Sequence, residues 1–546
     1  MLSMPFAAAS WRTARSPESL AVTGRLGFLL VTSPTSSLAP ATTISAPPIG
    51  LALLMAVAGG WLMDLGYPDL AWWPFTIVGT ALVFASLRGR SIRGALLIGA
   101  VSGFAYYGVL IEWLTVYLGV VPWLALTLAQ VFFTALGGVL ITLAWRWVPR
   151  AWPGVAGRLV LTPAVVAAAW TTREAVASVF PFGGFAWGRL AHSQAEGPLA
   201  HWAAWVGFSG LTFLIAWFSA MLVAVAIERE VGMLRRGILV AGASAALLVW
   251  PAVPIAVTGT ISVAAVQGNS DSGLFAEYER GQILQDHYDG TRALFDQGLE
   301  LDVVVWPENA SDLDPLRSEY AASVLDLVSA RLDAPVIVGT ITADGEKSFN
   351  SVLLWKAGEG AVDQYDKVHP VPFAEYLPAR DFFYPLAPSL FDLVPRDFSF
   401  GQRDTVIDLN GVIAGISICY DIVDDDLLAR QIDEGAQVLL APTNNADFGV
   451  SDQSVQQLAI ARLRAIEAGR SLVNASTVGA SAIVLPDGST LDSLPLFTQG
   501  TMVQEVPLSD TVTPAHALGR TVEWGVILFA LLTLTLGALL SRRQRA

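Results

Sequence analysis

The chain reads VIAGISICYD at residues 412–421, an apolar run that ends in a cysteine followed by tyrosine and aspartate. A short succession of apolar and small residues predicts a buried strand. Cys419 then stands at the strand end, where a loop can present a side chain to a ligand. It is the only cysteine of the 546 residues, so no intramolecular disulfide can form. A lone thiol here is a candidate nucleophile, although free cysteine also packs as a small apolar residue.

Two other segments have the same form, an apolar strand followed by a chemically useful side chain. Residues 302–308 read DVVVWPE and end at Glu308, and the VLLW run at 352–355 leads through Tyr365 and Asp366 to Lys367. A carboxylate, an ammonium and a thiol suit acyl transfer. Glu308 would accept the thiol proton, and Lys367 would stabilise the thiolate and the oxyanion.

A Cys–His pair is the competing assignment for the thiol. His369 lies only two residues from Lys367, which is the better candidate, so we do not assign His369 a catalytic role. No Cys/His cluster has the spacing of metal ligands, and no Gly-rich phosphate loop stands out. We therefore expect neither a metal nor a cofactor.

Composition indicates a membrane protein. Hydrophobic residues make up 53% of the chain and charged residues only 14%, with a mean hydropathy of +0.54, which is too apolar for an ordinary soluble enzyme. Most acidic residues fall between 258 and 519, so the net charge of −15 belongs to a polar domain there. This acidity argues against nucleic acid as a partner.

Apolar windows long enough to cross a bilayer predict eight transmembrane helices, seven before the polar domain and one after it. The windows are 49–66, 70–87, 94–118, 121–145, 159–180, 205–227, 237–257 and 523–541. Glu112, Arg173 and Glu174 lie near predicted span ends; they could mark a transport path, but we expect them to reach the interface. Residues 1–48 read as a disordered cytoplasmic tail or an upstream start-site artefact.

Basic residues predict the orientation, because they stay on the cytoplasmic side. They follow every even-numbered span and are nearly absent after the odd ones: Arg88, Arg90, Arg93, Arg146, Arg150, Arg158, Arg229, Arg235, Arg236, Arg542, Arg543 and Arg545. Both termini should be cytoplasmic, with the domain at 258–519 outside the cytoplasm. The predicted organisation is a tail at 1–48, a seven-helix bundle at 49–257, a catalytic domain at 258–519, and a closing helix with a basic tail at 520–546.

Within 258–519, strand-like runs alternate with helix-like stretches, which predicts a layered α/β domain. The runs are 261–266, 303–306, 335–339, 352–355, 412–418, 437–440 and 471–475, and the helices are 319–331 and 455–468.

Three motifs of this domain resemble, in order and spacing, the Glu-Lys-Cys catalytic set of the nitrilase-like (carbon-nitrogen hydrolase) superfamily. They are WPEN at 306–309, YDK at 365–367 and ICYD at 418–421. With VPFAEYLP at 371–378, FPFG at 180–183 and RAIE at 464–467 beside a membrane bundle, the chain is similar to the bacterial apolipoprotein N-acyltransferase family.

The resemblance implies an αββα sandwich in a multi-pass protein of the bacterial inner membrane. It implies a ping-pong reaction in which Cys419 takes an acyl chain from a phospholipid as a thioester and passes it to the α-amino group of a lipoprotein's N-terminal diacylglyceryl-cysteine. Glu375 corresponds to a second important glutamate of the family, and Tyr420 to a residue beside the nucleophile. The family usually has glutamate where this chain has Asp421. We expect the protein to act as a monomer.

A membrane-tethered amidase or nitrilase acting on soluble substrates is the enzymatic alternative, and a transporter with a sensor domain is the non-enzymatic one. Residues 373–400 favour the lipid substrate, because they are too apolar for an ordinary exposed loop. We call them the arm and predict that they move and face lipid, with Phe382, Phe383 and Tyr384 at the contact. A loop folded onto the core is the other interpretation.

Overall fold

The computed structural model describes residues 46–270, 273, 277–393 and 396–543. Nearly all of the predicted tail at 1–48, two residues of the arm (394 and 395) and the last three residues lie outside this range.

A helix occupies each predicted membrane window. Before the polar domain these helices are α1 (Ile49–Asp64), α2 (Trp73–Leu87), α3 (Ile92–Leu110), the short α4 (Leu114–Leu118), α5 (Val120–Ala151), α6 (Thr162–Val179), α7 (Ala203–Ile227) and α8 (Met233–Val249). Among the described residues, four helices are long and apolar enough to cross a membrane, namely 92–110, 120–151, 200–227 and 521–543. The chain is therefore a membrane protein, while the count of eight crossings and their direction stay predictions.

Small residues allow the first helices to pack closely. A Cβ atom built on Gly79 of α2 would lie 2.5 Å from the carbonyl oxygen of Gly59 in α1, and one on Gly60 would lie 2.8 Å from the Cβ of Ala105 in α3. Helices in a bilayer associate by such close contact.

The polar domain contains two six-stranded mixed sheets. The first has the order β12-β1-β2-β3-β4-β5 and the second β11-β10-β9-β8-β7-β6. The strands are β1 (Gly259–Gln267), β2 (Val303–Val305), β3 (Val336–Asp344), β4 (Lys347–Lys356), β5 (Gly360–Asp366), β6 (Val406–Leu409), β7 (Val412–Ile416), β8 (Val438–Thr443), β9 (Ser471–Ser476), β10 (Ala482–Val484), β11 (Thr490–Ser493) and β12 (Gly500–Leu508).

Helices cover the outer faces of both sheets. The domain's helices are α9 (Gln282–Arg292), α10 (Glu319–Leu332), α11 (Arg380–Phe383), α12 (Pro388–Phe391), α13 (Asp425–Asp433), α14 (Gln453–Ala468) and α15 (Pro514–Leu518), and the chain ends with α16 (Thr521–Arg543). Alternation along β2 shows the layering: Val303 and Val305 lie in the core between the sheets, and Val304 packs under α9 and α10. The domain has the layers of the expected αββα sandwich.

The outer layer of the second sheet merges with the membrane bundle. A single hydrophobic core contains Phe208 and Leu211 of α7 together with Leu428 of α13 and Ile460 of α14. The layers of the polar domain therefore rest on the bundle through α13 and α14.

The strand that precedes Lys367 is β5, and the predicted run at 352–355 is its antiparallel partner β4. The attribution of Lys367 to the run at 352–355 is wrong, because β5 is a half-exposed edge strand with Asp363 and Gln364 inside it. Its composition does not resemble a buried strand.

Candidate active site

Three strand ends bring the predicted residues together. Glu308 follows β2, Lys367 follows β5, and Cys419 lies just beyond β7. β1, β2 and β3 run parallel in one sheet, and β7, β8 and β9 run parallel in the other. The carboxyl ends of parallel strands meet at one edge of a sheet, which is the usual place for a site.

Glu308 is almost completely buried, with 4% of its surface exposed. Its Oε1 accepts a hydrogen bond of 2.7 Å from Asn350 Nδ2 and lies 3.4 Å from Lys367 Nζ. Its Oε2 accepts a hydrogen bond of 2.8 Å from the backbone N–H of Asn444. A buried carboxylate needs such partners, because burial without them is costly.

Lys367 is equally buried and lies between two glutamates. Its Nζ donates to Glu375 Oε1 at 3.0 Å and lies within salt-bridge distance of Glu308. Burial lowers the pKa of an ammonium, but the carboxylates of Glu375 and Glu308 outweigh it and hold the pKa of Lys367 well above its usual value. Lys367 is therefore a fixed positive charge.

Asn350, on β4, connects the two glutamates. Its Nδ2 donates to Glu308 Oε1 and also, at 3.1 Å, to Glu375 Oε1. Glu375 is further held by the backbone N–H of Val371, which donates to its Oε2 at 2.6 Å. We call Glu308, Asn350, Lys367 and Glu375 the carboxylate–ammonium cluster. Asn350 is not among the residues predicted from the sequence, because nothing in the pattern of β4 distinguishes it.

Cys419 begins a 3₁₀ turn, Cys419–Val423, with a backbone φ of +52°. A positive φ is uncommon for a residue with a side chain, and strained backbone conformations cluster at functional sites. The residue as a whole is partly exposed, while its environment at the thiol is buried. Burial, with the negative charge of Glu308, raises the pKa of Cys419 to about 12, and Lys367 offsets this only in part.

Asp421 fixes the turn to β5 and to the segment that follows it. Its Oδ2 accepts a hydrogen bond of 2.8 Å from the Tyr365 hydroxyl, and its Oδ1 accepts one of 3.2 Å from the backbone N–H of His369. Burial raises the pKa of Asp421 to about 6, against the opposing effect of Lys367. The aspartate thus reaches its partners despite being shorter than the glutamate usual in the resembled family.

Tyr420 joins the turn to the membrane bundle. Its ring stacks on Trp187 at 6.4 Å between centroids and on Phe185 at 6.5 Å. Both rings come from the segment that follows α6.

His369 pairs with Asp424, and this hydrogen bond raises the pKa of His369. Asp424 is the residue that precedes α13.

The predicted contact residues of the arm have different surroundings. Phe382 is 66% exposed. Phe383 packs edge-on against Phe373, at 5.0 Å, and against Phe182 of the loop after α6, at 5.9 Å. Tyr384 donates a hydrogen bond of 2.8 Å to Asp392.

Comparisons with known proteins cover both parts of the chain. Residues 59–221 match the family model of the apolipoprotein N-acyltransferase N-terminal domain, and residues 262–513 match that of carbon-nitrogen hydrolase. The apolipoprotein N-acyltransferase of Mycolicibacterium smegmatis is 32% identical over 505 residues, which are 88% of this chain and 83% of the relative. That of Azotobacter vinelandii is 32% identical over 525 residues, 90% of this chain and 95% of the relative. Among solved structures, an amidase from Nesterenkonia sp. is 19% identical, with a TM-score of 0.35 over 47% of this chain and 94% of its own.

Proposed function

The chain belongs to the apolipoprotein N-acyltransferase family, and from that premise we propose how its residues carry an acyl chain from a phospholipid to the α-amino group of an N-terminal diacylglyceryl-cysteine. The observation that carries the proposal is the buried cluster of Glu308, Lys367 and Glu375, which meets Cys419 at the strand ends. It offers a proton acceptor, a fixed cation and a nucleophile in one place.

The first half-reaction forms a thioester. The thiol proton of Cys419 passes to Glu308 as sulfur attacks the ester carbonyl carbon of the phospholipid. The tetrahedral oxyanion is stabilised by Lys367 and by the backbone N–H of Tyr420. The carbon–oxygen bond then breaks, and Glu308 returns the proton to the leaving alcohol, which departs as a lysophospholipid.

The second half-reaction reverses these roles. The acceptor amine attacks the thioester carbonyl carbon and transfers a proton to Glu308, while the carbon–sulfur bond breaks. Cys419 leaves as a thiolate and recovers its proton from Glu308. The products are an amide on the lipoprotein and the original enzyme.

The charge balance explains why two glutamates surround one lysine. With a neutral thiol the cluster carries two carboxylates and one ammonium. Proton transfer from Cys419 to Glu308 keeps the total charge unchanged, whereas loss of the proton to solvent would add a negative charge in a buried place. Glu375 keeps Lys367 in position when Glu308 is protonated.

The substrates also require an entrance from the bilayer. We assign this to the arm, where exposed Phe382 would meet lipid and Glu375 lies at the base. The catalytic domain faces the extracytoplasmic side of the inner membrane, both termini are cytoplasmic, and the protein acts as a monomer.

Intact-mass measurement tests the thioester. The purified protein incubated with phospholipid should gain the mass of one acyl chain, and hydroxylamine should remove it. Glu308→Gln, which keeps the shape of the side chain, should slow acylation about 10²- to 10⁴-fold, the usual contribution of a general base. Acylated protein from the Cys419→Ala variant would place the nucleophile elsewhere.

A further inference from the structure

A cavity of about 800 Å³ lies between the catalytic domain and the membrane helices, on the α6 and α16 side. One wall is apolar and comes from the membrane helices: Val176 and Val179 at the end of α6, and Trp524 and Ile527 in the first turns of α16. Its volume is typical of ligand sites.

A second part of the lining is charged and comes from the catalytic domain and the start of α16. His369 is paired with Asp424, and Arg520 lies 3.2 Å from Asp426 and 2.8 Å from Glu523. These five residues all line the cavity. They provide three carboxylates against two cations, so one negative charge is in excess when His369 is protonated.

A fourth carboxylate of the cavity lining, Asp425, is already neutralised by two arginines. Asp425 accepts ionic hydrogen bonds of 2.8 Å from Arg189 and 2.7 Å from Arg464. It adds no free negative charge to the cavity.

The cavity is separate from the reacting groups, although it adjoins them. Tyr420 lines it, but the described lining residues include neither Cys419 nor any member of the carboxylate–ammonium cluster. Tyr376 and Phe400 of the arm also line it, so it reaches the base of the arm.

We propose that this cavity binds a phospholipid whose zwitterionic headgroup carries an ammonium, at a site distinct from the one where the thioester forms. Its phosphate would take His369 and Arg520 as partners, and its ammonium Asp424 and Asp426, with the acyl chains against α6 and α16. A charged wall above an apolar one is the arrangement expected at a membrane interface. A headgroup with only negative charge has no ammonium to bind Asp424 and Asp426. We therefore propose a zwitterionic headgroup and not an anionic one.

Photo-crosslinking tests the proposal on the full-length Cys419→Ala protein, which has no thiol to acylate. The protein is placed in nanodiscs of phosphatidylglycerol that contain a trace of photoactivatable phosphatidylethanolamine or phosphatidylglycerol. We expect the ethanolamine probe to label the first turns of α16 about tenfold more than the glycerol probe, the effect of about one ion pair on an equilibrium constant.

Neighbouring residues of α16 provide a matched pair. Ile527→Trp fills the cavity and should abolish the preference, while Leu528→Trp changes a residue that is 54% exposed and should keep it. Val179→Trp fills the same space from α6 and serves if the first variant does not fold. Asp426→Asn removes one proposed partner of the ammonium and should lower the ratio of labelling by the ethanolamine probe to labelling by the glycerol probe.

Equal labelling by the two probes, or a preference that survives both filled variants, would overturn this site. The site does not depend on the acyl-transfer reaction. A protein that shows the labelling preference but gains no acyl mass when Cys419 is present would overturn the proposed function alone.

Discussion

At the scale of single residues, the raised pKa of Cys419 keeps its thiol neutral and weakly nucleophilic, so a neighbouring group must accept the proton. With a pKa of about 12, only about one thiol in ten thousand is ionised at pH 8. A preformed thiolate therefore contributes little, and proton transfer to Glu308 during attack is the more effective route.

The same pKa predicts how Cys419 reacts with a small uncharged alkylating reagent. Thiolate is the reactive form, so the alkylation rate should rise about tenfold per pH unit from pH 7 to pH 10 and should not level off. The measurement is the rate of mass gain of the purified protein at each pH. A plateau below pH 9 would contradict the raised pKa.

Asn350 is a positioning residue that acts through the two glutamates. Asn350→Ala removes the shared donor, and turnover should fall about tenfold, as for the loss of one hydrogen bond to a charged group. Asn350→Asp puts a third carboxylate beside Glu308 and Glu375 and should slow alkylation of Cys419 at a given pH, because the carboxylates of this cluster already raise the pKa of the thiol.

The alkylation rate separates this role from a structural one. Reduced turnover of Asn350→Asp with an unchanged alkylation rate of Cys419 would mean that Asn350 only supports the fold. Thermal unfolding of both variants provides the control.

At the scale of elements, most buried strands could be predicted and the edge strands could not, and the buried β10, only three residues long, was also missed. β1, β2, β8 and α10 lie close to their predicted runs, because continuous apolar stretches and a helical period are visible in the sequence. β5 was not predicted, because this edge strand carries polar residues. This is why Glu308 and Cys419 were placed on the correct strands and Lys367 was not.

The residues of the site were easier to predict from the sequence than the hydrogen bonds that hold them. The backbone N–H of Asn444 and the amide of Asn350 both hold Glu308, yet neither has a distinctive sequence pattern. Their role depends on how β4 and β8 lie in two different sheets.

The arm offers adjacent phenylalanines in different environments. Phe382→Ser changes an exposed side chain and should slow acylation by membrane-embedded phospholipid without affecting the melting temperature. Phe383→Ser removes the contacts with Phe373 and Phe182, so it should loosen the arm base and lower the melting temperature as well. Alkylation of Cys419 by a small soluble reagent reports on the immediate surroundings of the thiol, which we call the pocket. Its rate should be unchanged in Phe382→Ser.

Either of two results would contradict this assignment of the arm. If Phe382→Ser slows alkylation as much as acylation, the residue supports the pocket. If it slows neither, lipid enters elsewhere.

At the scale of the whole molecule, polar contacts join the bundle to the catalytic domain. Trp113 and Trp187, from loops of the bundle, both donate to Oε1 of Gln456 on α14, at 3.2 and 2.8 Å.

Arg173 and Glu174 were expected at the interface but are 4% and 3% exposed, inside the bundle. Arg173 donates to the Tyr107 hydroxyl, and Glu174 accepts from Thr212, so these charges take part in a buried network.

The shared junction predicts cooperative unfolding. Gln456→Leu leaves two indole N–H groups without their acceptor and should destabilise the protein by about 1–3 kcal/mol per unsatisfied donor. Tryptophan fluorescence, which reports mainly on the bundle, and exposure of Cys419 to a thiol reagent should shift to lower temperature together. Separate shifts would show that the two parts unfold independently.

The orientation of the whole chain is tested most directly through its single cysteine. Cys419→Ala gives a cysteine-free protein, into which one cysteine is introduced at a time. Glu346→Cys lies on an exposed turn of the catalytic domain, and Gly232→Cys lies in the exposed loop before α8, which the basic residues predict to be cytoplasmic. A membrane-impermeant thiol reagent added to intact spheroplasts should label the first variant and should label the second only after lysis. The opposite pattern would place the catalytic domain in the cytoplasm, where it could not meet lipoproteins on the outer face, and labelling of both in intact cells would show that the spheroplasts leak.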